Sequence, residues 1–157
     1  MDSFGITGKS ALVTGGSSGI GKAIAYKLFS QGCNVCILSR DINKITSTIK
    51  EISSSCASSA ALDGFSCDMS NLESLSSVYQ TISSDFSPFD ILIHNSGGPP
   101  TGGLLNHDHK EWTKTFDRNF HSLVLLSSLI IPSMVKKSWG RIVNISSTIA
   151  KEPSPQM

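Results

Sequence analysis

The 157 residues are 39% apolar and carry 13 basic against 12 acidic side chains, for a formal net charge of +1. This apolar fraction supports a hydrophobic core and excludes a disordered chain, and the near-neutral charge provides no field to attract nucleic acid or an anionic membrane. No apolar run approaches the roughly 20 residues that span a bilayer, and the N-terminal residues lack the order of a secretory signal. We therefore expect a cytoplasmic protein with neither nucleic acid nor a membrane as partner.

The first part of the chain alternates short β-branched runs with stretches of helical spacing. A strand is predicted at Ser10–Gly15, after which Ile20, Ile24 and Leu28 repeat every four residues until Gly32. That spacing indicates a helix with a glycine stop. Because such alternation is typical of βαβ units on a parallel sheet, we predict an α/β fold.

A second strand and helix follow with the same pattern. The strand is predicted at Asn34–Ser39, and Asp41 is a candidate N-cap for the helix after it. The small polar residues of Ser53–Ala61 predict a surface connection, with a phosphorylated linker as the alternative. The helix is expected to pack through a stripe of isoleucines, namely Ile42, Ile45, Ile49 and Ile52.

Three more strands are predicted further along the chain. The first is short, at Phe65–Cys67, and the second is Asp90–His94. The last is Arg141–Ser146, whose apolar residues predict a buried strand that delivers serines to a site. The complete pattern is therefore one of about five strands.

Two helices and a loop separate these strands. Apolar residues recur at helical spacing over Leu72–Ile82 and again over Lys110–Ile131, where Pro132 is the predicted stop. Asn95–Gly103 holds four glycines and two prolines and is therefore predicted to be a loop. No repeat and no change in composition divides the chain, so residues 1–157 are predicted to form a single domain.

Two clusters of potential metal ligands are present, and neither is predicted to bind a metal. Cys33 and Cys36 form a C-x-x-C pair, but strand alternation sends positions three apart to opposite faces, so buried thiols are the better interpretation. His107 and His109 flank an aspartate, with only His121 as a further ligand type nearby in sequence. A solvated loop is expected there.

The strongest motif is the turn between the first strand and the first helix, TGGSSGIG at Thr14–Gly21. Glycines permit positive φ and close approach of the backbone to a pyrophosphate, and the helix N-terminus offers free N–H groups and partial positive charge. A glycine turn can also be purely steric, but its place between a strand and a helix favours dinucleotide binding. The candidate binding residues are Gly15, Ser17, Ser18, Gly19, Ile20 and Gly21.

The end of the second strand indicates which dinucleotide is bound. An acidic residue there would bind the ribose 2′-hydroxyl of NAD, but this chain has Ser39 followed by Arg40. A guanidinium pairs with a 2′-phosphate through two hydrogen bonds, whereas a carboxylate would repel it. We therefore predict NADP(H) in preference to NAD(H), with a solvated Arg40 as the alternative.

These motifs, in this order, resemble those of the short-chain dehydrogenase/reductase family. The TGGSSGIG turn is similar to the family's cofactor loop, and four further segments fit its pattern from residue 8 to about residue 150. The resemblance implies a three-layer, doubly wound Rossmann fold with a parallel sheet. The four segments are CDM at 67–69, HNSG at 94–97, DRNFHS at 117–122 and GRIVNISS at 140–147.

The resemblance also implies roles for individual residues. Asp68 and Met69 match the strand end that contacts adenine in the family. Asn119 matches the helix asparagine of the catalytic group, and Ser147 the catalytic serine, with Ser146 as the alternative. The residues matched to the motif that supports the sheet and the cofactor are Asn95, Ser96 and Gly97.

The activity implied is hydride transfer between NADP(H) and a small carbonyl or alcohol substrate, with 3-oxoacyl compounds as one class. In the family, the serine binds the substrate oxygen, a tyrosine transfers the proton and a lysine lowers the pKa of the tyrosine. Neither Tyr26 nor Tyr79 has a lysine four residues on, and counting from Ser147 the family's tyrosine would fall just beyond Met157. We therefore expect this chain alone to be inactive.

A truncated fold follows from the same count. We expect it to lack the C-terminal strands and the catalytic helix, to leave the fifth strand as an exposed edge, and to lack part of the helices of the family's usual homo-oligomer. The alternative function is a non-catalytic member that retains at most partial dinucleotide binding. A Rossmann-like methyltransferase is a third interpretation, disfavoured by Arg40 and by the serines after the fifth strand.

Three departures from the family pattern are present. His94 and Ser96 stand where the family usually has asparagine and alanine, and Gly98-Pro99-Pro100 stiffens a loop that borders the substrate in the family. A loop of this kind resembles ketoacyl-reductase-like members, some of which also depart from the tyrosine–lysine motif.

Overall fold

The computed structural model describes residues 4–86, 88–98 and 100–152. Pro99, in the predicted loop Asn95–Gly103, lies outside the described residues. Five parallel strands form one sheet in the order β3-β2-β1-β4-β5. They are β1 (Ser10–Thr14), β2 (Asn34–Ser39), β3 (Leu62–Ser66), β4 (Ile91–His94) and β5 (Arg141–Asn144).

This strand order confirms the predicted doubly wound Rossmann fold. The chain begins in the middle of the sheet, winds outward to β3, and then crosses to β4 and β5 on the other side of β1. The change of direction opens a crevice at the carboxyl ends of β1 and β4, where doubly wound proteins bind ligands.

The helices that connect the strands cover both faces of the sheet. They are α1 (Gly19–Ser30), α2 (Ile42–Ser55), α3 (Leu72–Phe86), α4 (His109–Phe116) and α5 (Ser122–Lys136). A π-helical turn, Asp117–His121, joins α4 to α5, so the helix is continuous over these elements. Short 3-10 turns at Leu104–Asn106 and Thr148–Ala150 follow β4 and β5.

Strand alternation divides the hydrophobic core into two layers. Leu12 and Leu92 pack on one face with residues of α3 and α5, while Val13 and Ile37 pack on the other face with residues of α1 and α2. The layers are helix, sheet and helix. This is the three-layer arrangement predicted from the sequence.

The two cysteines of the C-x-x-C pair lie in different layers, as alternation predicts. Cys33 packs on the α1 and α2 side of the sheet and Cys36 on the opposite side. Burial, with a smaller contribution from the Asp90 charge, raises the pKa of the Cys33 thiol to about 12. Both thiols are free and protonated at neutral pH, and no group of three or more potential metal ligands occurs among the described residues.

The first helix forms as predicted, and Ile24 and Leu28 of its predicted stripe are half-buried against the core. Ile20, which the spacing placed in the helical pattern, is 61% exposed. The buried positions are one residue further on, at Gly21, Ala25 and Phe29. Small residues at 21 and 25 let the helix approach β1 closely, and this close contact determines which face is buried.

The second helix and third strand both extend beyond their predicted limits. Ser53–Ser55 form the last turn of α2, where the Ser54 and Ser55 hydroxyls donate back to the Glu51 carbonyl. The strand begins at Leu62, three residues earlier than predicted, although aspartate and glycine are poor strand formers. Close packing explains Gly64, because a Cβ there would lie 2.5 Å from Ile45 Cγ2.

Two further expectations are corrected near the C-terminal end. Pro132 does not stop the helix, which continues to Lys136 because Met134, beyond the proline, is buried in the core. The packing of that residue outweighs the one backbone hydrogen bond that proline removes. The strand β5 is exposed at all four positions because, among the described residues, it pairs only with β4; this corrects the buried strand predicted from its apolar residues and agrees with the exposed edge expected of the shortened sheet.

Candidate functional site

A pocket of about 310 Å³ opens at the carboxyl ends of β1 to β4. It is lined by the glycine-rich turn, the end of β2, the end of β3 and the loop after β4. Eleven predicted cofactor residues line it, namely Gly15, Ser18, Gly19, Ile20, Ser39, Arg40, Asp68, Met69, Asn95, Ser96 and Gly97.

The glycine-rich turn is packed too tightly for side chains at two positions. Gly15 has φ +60°, and a Cβ there would lie 2.5 Å from the Asn95 carbonyl oxygen. A Cβ at Gly21 would overlap the Gly15 carbonyl oxygen and lie 2.8 Å from Asn95 Nδ2. Gly21 therefore allows the close packing of the turn and does not itself line the pocket.

The N-terminus of α1 faces this pocket without a side-chain cap. Ser18 is the N-cap residue, in extended conformation, and its side chain makes no hydrogen bond to the helix. The first N–H groups of α1 are thus not covered by the residue that normally satisfies them. An anionic group in the pocket would find both these donors and the positive end of the helix dipole.

Two buried hydrogen-bond systems hold the turn in place. Asn95 accepts from Thr14 Oγ1 at 3.0 Å, donates from its backbone to the same oxygen at 2.9 Å, and donates from Nδ2 to the Gly15 carbonyl at 3.3 Å. The Ser17 and Ser39 hydroxyls lie 2.7 Å apart, linking the turn to β2. Ser17, predicted as a binding residue, is buried and supports the turn from outside the pocket lining.

The end of the pocket beside β2 and β3 carries opposite charges. Arg40 is exposed after β2, and its carbonyl accepts from the Ser66 hydroxyl at 2.8 Å. Burial acts to raise the pKa of the Asp68 carboxyl, but hydrogen bonds from the Ser70 amide and hydroxyl, with the charges of Lys114 and Arg40, hold it below its usual value. Asp68 is therefore ionised at neutral pH and can accept hydrogen bonds from a ligand.

Asn119, the predicted catalytic asparagine, lies at the centre of the π-helical turn. Its Oδ1 accepts a hydrogen bond from the Ser96 hydroxyl, and its Nδ2 donates to the Thr115 carbonyl at 2.8 Å. Turns of this kind in helices are common at functional sites. Ser96, in place of the family's alanine, thus connects the loop after β4 to this turn.

His94, at the end of β4, forms a buried link to β5 and α5. Its Nδ1 lies 2.9 Å from the side-chain oxygen of Asn144, Oδ1, and its Nε2 lies 2.9 Å from the Ser122 hydroxyl. That hydroxyl donates to the Arg118 carbonyl at 2.7 Å. Because Asn144 Oδ1 can only accept, the neutral imidazole carries its hydrogen on Nδ1, and the Ser122 hydroxyl lies within hydrogen-bond distance of both the Arg118 carbonyl and Nε2.

Ser147, the predicted catalytic serine, lies apart from the pocket lining. It is exposed after β5, and its Oγ accepts from the Ile149 amide at 3.3 Å as the N-cap of the 3-10 turn. Tyr79 is buried against α5, where its hydroxyl donates to the Leu129 carbonyl at 3.4 Å. Burial raises the pKa of Tyr79, the opposite of what a proton donor of this family requires.

Two pocket residues were missing from the sequence prediction. Cys67 precedes the predicted Asp68 and lies in the strand end already identified, so adjacency alone could have indicated it. Arg118 precedes Asn119 on the π-helical turn. Nothing in the sequence indicates which face of that turn points at the pocket, because helical periodicity is interrupted there.

The strand order and the pocket at the strand ends together are those of the doubly wound Rossmann class. A match to the short chain dehydrogenase family model extends over residues 9–157. The chain therefore belongs to the short-chain dehydrogenase family, in agreement with the resemblance found in its motifs.

Two curated relatives are similar to nearly the whole of this chain. It is 30% identical over 152 residues to a short chain dehydrogenase of Pseudocercospora fijiensis, covering 96% of this chain and 48% of the relative. It is 34% identical over 148 residues to a 3-oxoacyl-[acyl-carrier-protein] reductase of Haemophilus influenzae, covering 94% of this chain and 59% of the relative. The chain thus spans about half the length of the curated relatives it matches.

Solved structures agree with this assignment. L-sorbose reductase from Gluconobacter frateurii, complexed with NADPH and L-sorbose, matches with a TM-score of 0.89 and 25% identity over 98% of this chain and 57% of that one. An NADPH-dependent reductase involved in bacilysin biosynthesis matches with a TM-score of 0.88 and 30% identity, over 96% of this chain and 59% of that one.

One helical stretch of the described residues, His109–Lys136, is long and apolar enough to cross a membrane by length and composition alone. Core helices pass the same test, and this stretch packs Leu126 and Ile130 into the core beside β4. The absence of a membrane partner stays a prediction.

Proposed function

We propose that this chain is the cofactor-binding portion of an NADP(H)-dependent oxidoreductase that transfers a hydride between nicotinamide and a carbonyl or alcohol substrate. The observation that carries the proposal is the pocket at the ends of β1 to β4, with an uncapped helix N-terminus on one side and Arg40 on another. The NADPH complexes of similar reductases support it.

Each part of the pocket has a task in this function. Gly15 and Gly21 let the turn pack closely against Asn95, which holds it in the shape that presents the N–H groups of α1 to a pyrophosphate. Arg40 offers a guanidinium to a 2′-phosphate, and Asp68 accepts hydrogen bonds from adenine. When bound, the nicotinamide cofactor would supply the hydride chemistry.

For catalysis we propose Asn119 and Ser147, with Ser147 binding the substrate oxygen. The carbonyl compounds to test first are 3-oxoacyl thioesters, because a 3-oxoacyl reductase is among the relatives, and ketose sugars, because L-sorbose reductase is among the similar structures. Neither Tyr26 nor Tyr79 suits the role of proton donor, so we propose that the 157-residue chain binds cofactor without turnover. We further propose that a second copy of the chain is its protein partner.

The test is the preference for NADPH over NADH. We expect the wild-type chain to bind NADPH more tightly than NADH. Arg40→Asp should lower the affinity for NADPH by about a hundredfold and leave the affinity for NADH unchanged, because reversing the charge beside a bound phosphate costs about 2–3 kcal/mol. Isothermal titration calorimetry measures both affinities. Lys44→Asp, the same charge change on α2 away from the pocket, is the matched control.

Equal affinity of the wild-type chain for the two cofactors would contradict the NADP(H) assignment. Oxidation of NADPH driven by a ketone in the same preparation would contradict the absence of turnover, because it would require a proton donor other than the family's tyrosine.

A further inference from the structure

Arg118 is a cation in the pocket wall whose hydrogen-bonding capacity is only partly used. One terminal nitrogen, Nη2, donates to the Gly98 carbonyl at 3.1 Å. Its Nε is buried and has no hydrogen-bond partner among the described residues. None of the ion pairs found among those residues involves Arg118.

A buried N–H group without a hydrogen-bond partner indicates a missing acceptor. Buried donors in folded proteins nearly always have a partner, and a guanidinium cannot escape the cost by losing its proton. The bond to Gly98 fixes the orientation of the guanidinium at the pocket wall. A ligand that filled the pocket would therefore meet a donor already in place.

The pocket lining also has an excess of positive charge. Among the residues that line it, Arg40 and Arg118 are cationic and Asp68 is the one carboxylate. Lys114, one turn before Arg118, is close enough to stabilise the charged form of Asp68. This arrangement favours a ligand that carries several phosphates over a neutral one.

The position of Arg118 indicates which part of a dinucleotide it would contact. The lining comes from the ends of β1 to β4 and contains no residue of β5 or of the segment with Ser147. Arg118 thus shares its cavity with Arg40 and Asp68, the proposed contacts of the adenosine half, and not with Ser147, the proposed contact of the substrate oxygen.

We infer that Arg118 is a further cofactor-binding residue, whose Nε donates a hydrogen bond to an acceptor on the adenosine half of the dinucleotide. The inference rests on the proposed NADP(H) site and adds to it a contact from the helical layer. In this arrangement the cofactor is held from two sides, by the glycine-rich turn and by the π-helical turn that also carries Asn119.

The test compares the whole cofactor with its adenosine half in calorimetric titrations. We expect Arg118→Leu to weaken both NADPH and adenosine 2′,5′-bisphosphate by the same factor, about tenfold or more, as for the loss of a hydrogen bond from a charged group. Lys110→Leu removes one positive charge from α4 outside the pocket and is expected to leave both affinities unchanged. Thermal unfolding of each variant confirms that it is folded.

Arg118→Lys separates the hydrogen bond from the charge. Lysine keeps the charge but has no Nε–H and no planar fork, so we expect weaker binding than wild type in this variant too. This second variant also decides the question if Arg118→Leu fails to fold. Wild-type affinity in Arg118→Lys would overturn the contact from Nε.

The outcomes distinguish this inference from the proposed function. If the wild-type chain binds NADPH and Arg118→Leu binds it equally well, Arg118 is not a cofactor residue and the proposed function is unaffected. If the wild-type chain binds neither NADPH nor adenosine 2′,5′-bisphosphate, both are wrong.

Discussion

Gly21 and Gly19 occupy the same turn but are glycine for different reasons. At Gly21 the space for a side chain is filled by the Gly15 carbonyl and Asn95, whereas a Cβ at Gly19 would meet nothing within 4 Å and only φ +52° disfavours other residues. The first is a packing requirement of the fold and the second a backbone requirement of the turn. Substitutions at the two positions should therefore differ in severity.

We expect Gly21→Ala to lower the free energy of unfolding by about 3 kcal/mol, because the added methyl forces the turn away from Asn95. Gly19→Ala is the matched control and should cost about 1 kcal/mol, from the left-handed backbone alone. Urea denaturation measures both values. Equal losses in the two variants would show that the tight contact at Gly21 relaxes without cost.

At the scale of elements, His94 connects β4 to β5 and to α5. The imidazole is 1% exposed, and burial lowers its pKa although the bond to Asn144 opposes the shift. The folded protein therefore takes up a proton less readily than the unfolded chain, where histidine titrates near its usual value of about 6.5. Its contribution to stability is complete above that value and is lost as the pH falls toward the folded pKa.

We therefore expect the free energy of unfolding to decrease between pH 7.5 and pH 5.5, and His94→Asn to reduce this decrease. Asparagine is the residue that the family usually has at this position, and it does not titrate. Urea denaturation at the two pH values provides the measurement, and His109→Gln, which alters an exposed histidine, should leave the decrease unchanged. The same pH dependence in His94→Asn and wild type would exclude His94 as its origin.

Elements defined by local sequence were predicted well, and those defined by packing were not. The turn from Gly15 to Gly21 and the N-cap at Asp41 depend on nearby backbone geometry, which the residue types determine directly. The buried face of α1 could not be predicted in this way. Ile20 is exposed because Ala25 packs against the sheet, and the spacing of the isoleucines does not reveal that contact. Propensity is a weak prior wherever such tertiary contacts exist.

The same distinction applies to the candidate site. Its strand-end residues could be predicted, because parallel strands bring all their carboxyl ends to one edge of the sheet. Arg118 could not, since the π-helical turn shifts the register of the residues that follow Phe116 and redirects their side chains. The link between Ser96 and Asn119 likewise joins two segments whose proximity only the folded chain reveals.

At the scale of the whole molecule, an exposed apolar stripe runs along α5 and the turn before it. Phe120, Val124, Ile131 and Val135 are between 42% and 70% exposed. Residues 122–133 contain no charged side chain, so two copies of this helix can approach without electrostatic repulsion. Contiguous apolar patches of this kind mark association surfaces, and the same surface on each of two copies forms a closed, symmetric pair.

We expect the wild-type chain to dimerise through this stripe, and a Val124→Glu, Val135→Glu double variant to weaken the dimer at least tenfold. Each buried valine contributes about 1.5 kcal/mol or more, and each copy buries both residues in a symmetric pair. Sedimentation equilibrium measures the association constant, with Tyr26→Glu, an exposed aromatic on α1, as the control. A wild-type chain that remains monomeric at concentrations on the order of 100 μM would contradict the second copy as occupant of this surface.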